Sequence, residues 1–161
     1  MGLDNYNRIR NFAKSGEPKT GLTAKNLNRF VIQEHKARNL HYDFRLEVND
    51  GKSGGVVLKS WAVPKNVPFE AGPKRLAIQT EDHPVDYLNF SGIIPAGNYG
   101  AGEVKVWDKG KWEVIAGGFV SGRLVFKLKG KILSGEYIII KTKGYGDSKE
   151  SDKHWLIWKI K

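Results

Sequence analysis

The feature that most limits what this chain can fold into is its punctuation. Short runs rich in β-branched and aromatic residues recur along its length, each closed by Gly, Asn, Asp or Pro. Arg29 to His35, Leu40 to Val48, Val56 to Val63, Leu76 to Thr80, Glu103 to Trp107, Trp112 to Ile115, Arg123 to Leu128, Glu136 to Thr142 and Trp155 to Ile160 read as strands. Asn49-Asp50-Gly51 predicts a hairpin turn, because Asp-Gly tolerates the positive φ of tight turns. Asp108-Lys109-Gly110, Gly117-Gly118 and Lys129-Gly130-Lys131 predict further turns. Helical periodicity is weak and predicts one short helix between Asn5 and Ala13. The expected class is all-β and mainly antiparallel, a sandwich or a barrel. With 161 residues the expectation is a single domain over 1–161, in which 1–28 form an N-terminal helix or arm leading into the strands.

Bulk properties narrow the function. Tyr137 to Ile140, among the longest apolar stretches, stops at Lys141, far short of the roughly 18 apolar residues that span a membrane. The N-terminus lacks the apolar core of a signal peptide, and Tyr6 breaks the myristoylation pattern. The absence of cysteine excludes disulfides, thiolate ligands and a thiol nucleophile, so the cytoplasm is the expected compartment and no membrane partner is expected. Lys and Arg number 27 against 17 Asp and Glu, a net charge of +10 that favours a polyanionic partner.

One strand carries chemistry. In Leu40-His41-Tyr42-Asp43-Phe44-Arg45-Leu46-Glu47, a period of two places Leu40, Tyr42, Phe44 and Leu46 on one face. His41, Asp43, Arg45 and Glu47 fall on the other. Such alternation alone describes a solvated outer face. However, the chain has only four histidines, and one of them, His35, precedes His41 across a short segment. If that segment closes a hairpin, two imidazoles and a carboxylate converge, a ligand set suited to Mn²⁺, Fe²⁺ or Zn²⁺ with open positions. Arg45 on the same face offers a planar fork to a phosphate.

A second cluster, Thr80-Glu81-Asp82-His83-Pro84-Val85-Asp86-Tyr87, follows a predicted strand. His83 is a candidate general acid or phosphate ligand, and Tyr87 a hydroxyl donor to the same anion. The loop Gly97-Asn98-Tyr99-Gly100-Ala101-Gly102 lacks the strand–loop–helix setting and the Lys-Ser/Thr ending of a P-loop, and reads as a glycine-rich turn or bulge. His154 has no partner constellation, and the five tryptophans read as core.

These residues, in this order, resemble the 3′-phosphoesterase module of DNA ligase D, in its stand-alone archaeal and bacterial form. The resemblance runs from Phe30-Val31-Ile32-Gln33-Glu34-His35 through His41-Tyr42-Asp43-Phe44-Arg45 and Leu58-Lys59-Ser60-Trp61-Ala62-Val63-Pro64-Lys65. It continues in Lys74-Arg75-Leu76-Ala77, Thr80-Glu81-Asp82-His83-Pro84, Tyr87 and Ile94-Pro95-Ala96-Gly97-Asn98-Tyr99-Gly100-Ala101-Gly102. It implies a β-barrel and a Mn²⁺-dependent hydrolase acting on primer–template 3′ ends of DNA or RNA, with Zn²⁺ and Co²⁺ also suited to the ligands. Such an enzyme removes a terminal ribonucleoside as a phosphodiesterase, then the 3′-phosphate as a phosphomonoesterase, leaving a 3′-hydroxyl for non-homologous end joining. The resemblance implies His35, His41 and Asp43 as metal ligands and Arg45, His83 and Tyr87 as the phosphate-binding and catalytic set. Glu81, Arg75, Lys59 and Arg10 stand at positions that support activity.

Two departures stand out. Asn11 occupies the place of a usual Asp, which removes a negative charge. Ala96 replaces the Glu of a usual Pro-Glu-Gly, which removes a polar contact and bears on the balance of the two cleavages. The chain shows no Lys-x-Asp-Gly adenylation motif, so ligase and polymerase partners are expected on separate chains. Two other readings compete. A cupin-like Fe²⁺ enzyme would use the same ligands but need an apolar or organic-acid pocket. A non-catalytic basic barrel would bind nucleic acid without a metal.

Overall fold

The computed structural model describes residues 3, 6, 7, 26–49, 55–142 and 152–161. Nine strands make up the fold: β1 (Arg29–Lys36), β2 (Leu40–Asn49), β3 (Val56–Val63), β4 (Arg75–Pro84), β5 (Gly92–Ile94), β6 (Gly102–Gly118), β7 (Arg123–Gly130), β8 (Ser134–Lys141) and β9 (His154–Lys159). A 3-10 turn over Val85–Asn89 links β4 to β5. The strand order is β1-β2-β3-β4-β9-β8-β7-β6-β5, and β6 also pairs with β1. Eight strands therefore close an antiparallel barrel, and the short β5 lies against the other edge of β6. Closure removes the exposed sheet edges that an open sheet would leave.

Of the helix expected between Asn5 and Ala13, Tyr6 and Asn7 are helical, and the remainder lies outside the described residues. The Asp50-Gly51 turn lies outside them too. Among the described residues no helix is long and apolar enough to cross a membrane.

Alternation sorts the barrel into two apolar clusters. Phe30, Ile32, Phe44, Leu46, Trp61, Phe126, Leu128, Tyr137 and Trp155 fill the interior. On the outer face of β1 and β3, Val31 and Leu58 pack beneath Tyr6, Tyr87 and Leu88. The second cluster bears on the polar face of β2. Tyr87 of the Val85–Asn89 turn lies over Arg45, the imidazoles of His35 and His41 flank Asp43, and Arg29 closes on Glu47, so Asp43, Arg45 and Glu47 are buried and not solvated.

Two kinds of expectation change. Asp108-Lys109-Gly110 and Gly117-Gly118, both expected as turns, lie inside the continuous strand β6, and the turn that follows it falls at 119–122. The Asp108 carboxylate accepts N–H groups from Lys109, Lys131, Ile132 and Leu133, and so secures the turn between β7 and β8. Gly110 is required by close approach, because a Cβ there would overlap the Lys129 carbonyl. The second change is that β4 runs on to Pro84, so His83 sits within a strand, opposite Leu58.

Candidate metal and phosphate site

The β1–β2 hairpin pairs His35 with His41, Gln33 with Asp43 and Val31 with Arg45. Period-two alternation then puts all six residues on the outer face of the barrel. The next strand continues that face with Ala62 opposite Asp43 and Ser60 opposite Arg45. On β4 the register slips. Ser60 faces Thr80 while Leu58 faces His83, so three steps on β4 match two on β3. This bulge re-aims the strand, and His83 joins Thr80 on the site face, which strict alternation would have denied it.

The result is an open cleft of about 230 Å³, lined by His35, Ala37, His41, Asp43, Arg45, Ala62, Thr80, Glu81, His83, Tyr87, Ile94, Tyr99 and Gly100. One ligand atom from each of His35, His41 and Asp43 lies within 4.8 Å of the others. His35 Nδ1 is 3.2 Å from Asp43 Oδ2, and His41 Nε2 is 3.3 Å from Asp43 Oδ1. The opposite nitrogens are both taken by main-chain carbonyls. His35 Nε2 donates to Gly100 at 2.6 Å, and His41 Nδ1 donates to Asn39 at 3.0 Å. Each imidazole therefore turns its second nitrogen toward Asp43, where it would give up its proton and offer a lone pair to a bound metal ion. The donor set fits a divalent cation that takes nitrogen and oxygen ligands, with positions left open.

Charge agrees with this geometry. Burial alone would push the Asp43 carboxyl up. The Arg45 charge and hydrogen bonds from His35 and His41 override burial and hold it well below the usual carboxylate range. Burial opposes a charge on His41, but the hydrogen bond and charge of Asp43 outweigh it and hold that imidazole above its ordinary value. The gap among the three side chains is one that attracts positive charge.

Arg45 sits deeper. Its Nη2 is 3.5 Å from Asp43 Oδ2, its Nε donates to Gln33 Oε1 at 2.7 Å, and its guanidinium carbon lies 4.7 Å from the centre of the Tyr87 ring. His83 Nδ1 is 2.8 Å from the main-chain oxygen of Glu81, which places the proton there and turns Nε2 toward the Glu81 carboxylate at 3.9 Å. The rings of His83 and Tyr87 meet edge to face at 4.7 Å.

The structure thus brings His35, His41, Asp43, Arg45, Glu81, His83 and Tyr87 into one cleft. Arg75 and Lys59 do not line it. Arg75 donates to the carbonyls of Lys65 and Asn66, and Lys59 lies 5.1 Å over the Phe119 ring. Arg10 and Asn11 lie outside the described residues. Ala96 stands in a turn closed by Asn98 N donating to the Pro95 carbonyl, away from the cleft lining.

Three contributors escaped the sequence reading. Gln33 is fully buried, and its amide donates to the carbonyls of Tyr87 and Phe90 while its oxygen holds Arg45. The same alternation that was applied to β2, applied to β1, would have placed Gln33 beside His35. The Thr80 hydroxyl is a buried cleft atom without a hydrogen-bond partner among the described residues. Gly100 contributes through its main-chain oxygen, which no side-chain pattern reveals.

Comparison with known proteins adds a lineage to this geometry. Residues 33–141 match the family described as the DNA ligase D 3′-phosphoesterase domain. The chain is 44% identical over 165 residues to the multifunctional non-homologous end joining protein LigD of Pseudomonas aeruginosa, an alignment covering 99% of this chain and 18% of that protein. It is likewise 44% identical to the multifunctional non-homologous end joining DNA repair protein LigD of Mycobacterium tuberculosis, covering 99% of this chain and 20% of that one. The chain spans about a fifth of the length of the curated relatives it matches.

Proposed function

The chain belongs to the DNA ligase D 3′-phosphoesterase domain family, and on that premise we propose that it is a metal-dependent hydrolase that heals nucleic-acid 3′ ends. Its substrates are then primer–template ends in DNA or RNA. A terminal ribonucleoside is removed first, leaving a 3′-phosphate, and that phosphate is hydrolysed to a 3′-hydroxyl. The reaction serves non-homologous end joining with ligase and polymerase partners. The observation that carries this reading is the buried Arg45 guanidinium 3.5 Å from Asp43, which puts a phosphate-binding fork against the metal-ligand set.

His35, His41 and Asp43 would hold the ion, with Mn²⁺ the best candidate and Zn²⁺ or Co²⁺ compatible. When bound, the ion supplies Lewis acidity toward a phosphate oxygen and acidifies a water. The rest belongs to the protein. Arg45, held in place by Gln33 and by the Tyr87 ring, receives the remaining phosphate oxygens. Tyr87 is the proposed hydroxyl donor to the same anion. His83, oriented by the Glu81 carbonyl, is the candidate for protonating the leaving oxygen through Nε2, the 5′-oxygen of the departing ribonucleoside in the first cleavage and the 3′-oxygen of the strand in the second, with the Glu81 carboxylate nearby to support that charge.

The test is a labelled primer–template ending in one ribonucleotide, incubated with purified protein with and without Mn²⁺. The expected products are the 3′-phosphate and then the 3′-hydroxyl strand. If neither appears with any of the three metals, the proposal fails.

A further inference from the structure

A second cavity, of about 340 Å³, opens on the same outer face and is lined by Arg29, Phe30, Leu88, Asn89, Lys109, Gly110, Lys111 and Lys131. The strand register explains its charge. On the outer face of β1 and β6, Arg29 stands opposite Lys111 and Val31 opposite Lys109. Beyond the irregularity at Ile32/Gln33 the same face carries Val106 and Val104 opposite Gln33 and His35. A row of basic residues therefore gives way to the metal-ligand end of the strand.

The cations are arranged for an outside anion. Among the described residues, the Lys109 and Lys111 ammonium groups meet neutral acceptors, Asn89 Oδ1 at 3.2 Å and the Leu27 carbonyl at 3.0 Å. Three carboxylates come near. Glu47 is engaged by the Arg29 guanidinium and main chain, and both oxygens of Asp108 take main-chain N–H groups. Asp86 adds its charge opposite Arg29. Lys109, Lys111 and Lys131 are exposed.

We propose that this groove binds the phosphodiester backbone of the duplex behind the 3′ end, as a second anion site about 20 Å along β1 from His35. The inference rests on the first cleft being a 3′-end site. Two observations favour nucleic acid over an acidic protein surface. Both cavities share one wall, since Tyr87 lines the first while Leu88 and Asn89, the next residues of the same turn, line the second. In addition, a duplex carries one phosphate per strand for about every 3.4 Å of axis, so a rod leaving the first cleft reaches the groove after about six base pairs.

Anisotropy titration of a labelled primer–template with a 3′-hydroxyl end, which is product and not substrate, tests this. For the unmodified protein, affinity should climb as the duplex grows from about 4 to about 10 base pairs and then level off. The Lys109→Gln/Lys111→Gln/Lys131→Gln variant should lose that climb, and its dependence of log Kd on log salt should flatten by about one per lysine. Removing three charges elsewhere, at Lys65, Lys153 and Lys161, should keep the climb. An unchanged slope in the groove variant, or equal effects of both triple variants, overturns the proposal. Lys111→Glu alone, checked by its melting curve, gives a second reading if the triple variant folds poorly: the climb must shrink. Turnover by the unmodified protein is scored separately. Length-dependent binding without hydrolysis rejects the 3′-end chemistry, while hydrolysis with length-independent binding rejects the groove.

Discussion

Gln33 accepts a 2.7 Å hydrogen bond from the Nε of Arg45, and neither side chain reaches solvent to any useful degree. The same amide donates to the carbonyls of Tyr87 and Phe90. One neutral side chain on β1 therefore sets both the direction of a buried guanidinium on β2 and the position of the turn that covers it. A buried network of this kind is satisfied as a whole or is costly.

Replacing Gln33 with Leu should lower stability by about 2 kcal/mol, since Arg45 loses an acceptor and two carbonyls lose donors. Turnover of a 3′-phosphate should fall by about 10- to 100-fold. Gln33→Glu should not rescue it, because a carboxylate would restore the Arg45 contact but face two carbonyls. Thermal melts together with steady-state kinetics measure this. Full activity in both variants would show that Arg45 needs no such support.

Asp43→Asn keeps the shape of the side chain and removes its charge. Calorimetric titration with Mn²⁺ should show affinity reduced by more than about 100-fold, whereas His154→Ala, on β9 outside the cleft, should leave it unchanged. Chelator treatment of the unmodified protein should abolish hydrolysis, and added Mn²⁺ should restore it. Equal metal binding by the Asn variant would remove Asp43 from the ligand set.

Thr80 offers a test in which two readouts move in opposite directions. Its hydroxyl is buried without a partner in the cleft, so Thr80→Val should leave stability unchanged or raise it by up to about 1 kcal/mol. If that hydroxyl serves a phosphate oxygen, KM for a 3′-phosphate should rise by about tenfold. A more stable variant with unaltered KM would mean that the hydroxyl meets nothing in the reaction.

Glu47 links acid stability to the start of β1. It accepts from Arg29 main-chain N, Nε and Nη2 at 2.9–3.0 Å. Burial would raise its pKa, but these hydrogen bonds and the Arg29 charge lower it from the ordinary 4.5. A carboxyl whose folded pKa is depressed stabilises the fold above its unfolded pKa, and loses that contribution as pH drops through the folded value. Glu47→Gln should therefore cost about 2 kcal/mol at neutral pH. The difference between the variant and the unmodified protein should shrink progressively as pH falls below 4.5. Denaturant titrations at several pH values check it, and a gap that widens in acid contradicts the assignment.

Much of the architecture was legible from period and punctuation. The alternation in Leu40 to Glu47 assigned Phe44 and Leu46 to the interior and His41, Asp43 and Arg45 to the other face, and both assignments hold. The punctuation misled at Asp108-Lys109-Gly110. There the turn-forming residue types serve a neighbouring hairpin and a close strand contact, neither of which is local. The short segment after His35 does close a hairpin, and it puts the two imidazoles opposite each other.

What the sequence determined by itself was the set of chemical groups and the face of the strand on which each lies, because side-chain direction along a strand follows from a backbone repeat of two. Tertiary structure decided which of those groups meet. The bulge opposite Ser60 turns His83 onto the site face, and Tyr87 of the Val85–Asn89 turn covers Arg45, which alternation alone would leave in water. The Gly100 carbonyl aims His35 at Asp43 from 65 residues away. Each of these depends on register and on contacts between distant segments. They are set by the free energy of the closed barrel and not by any local run of residues.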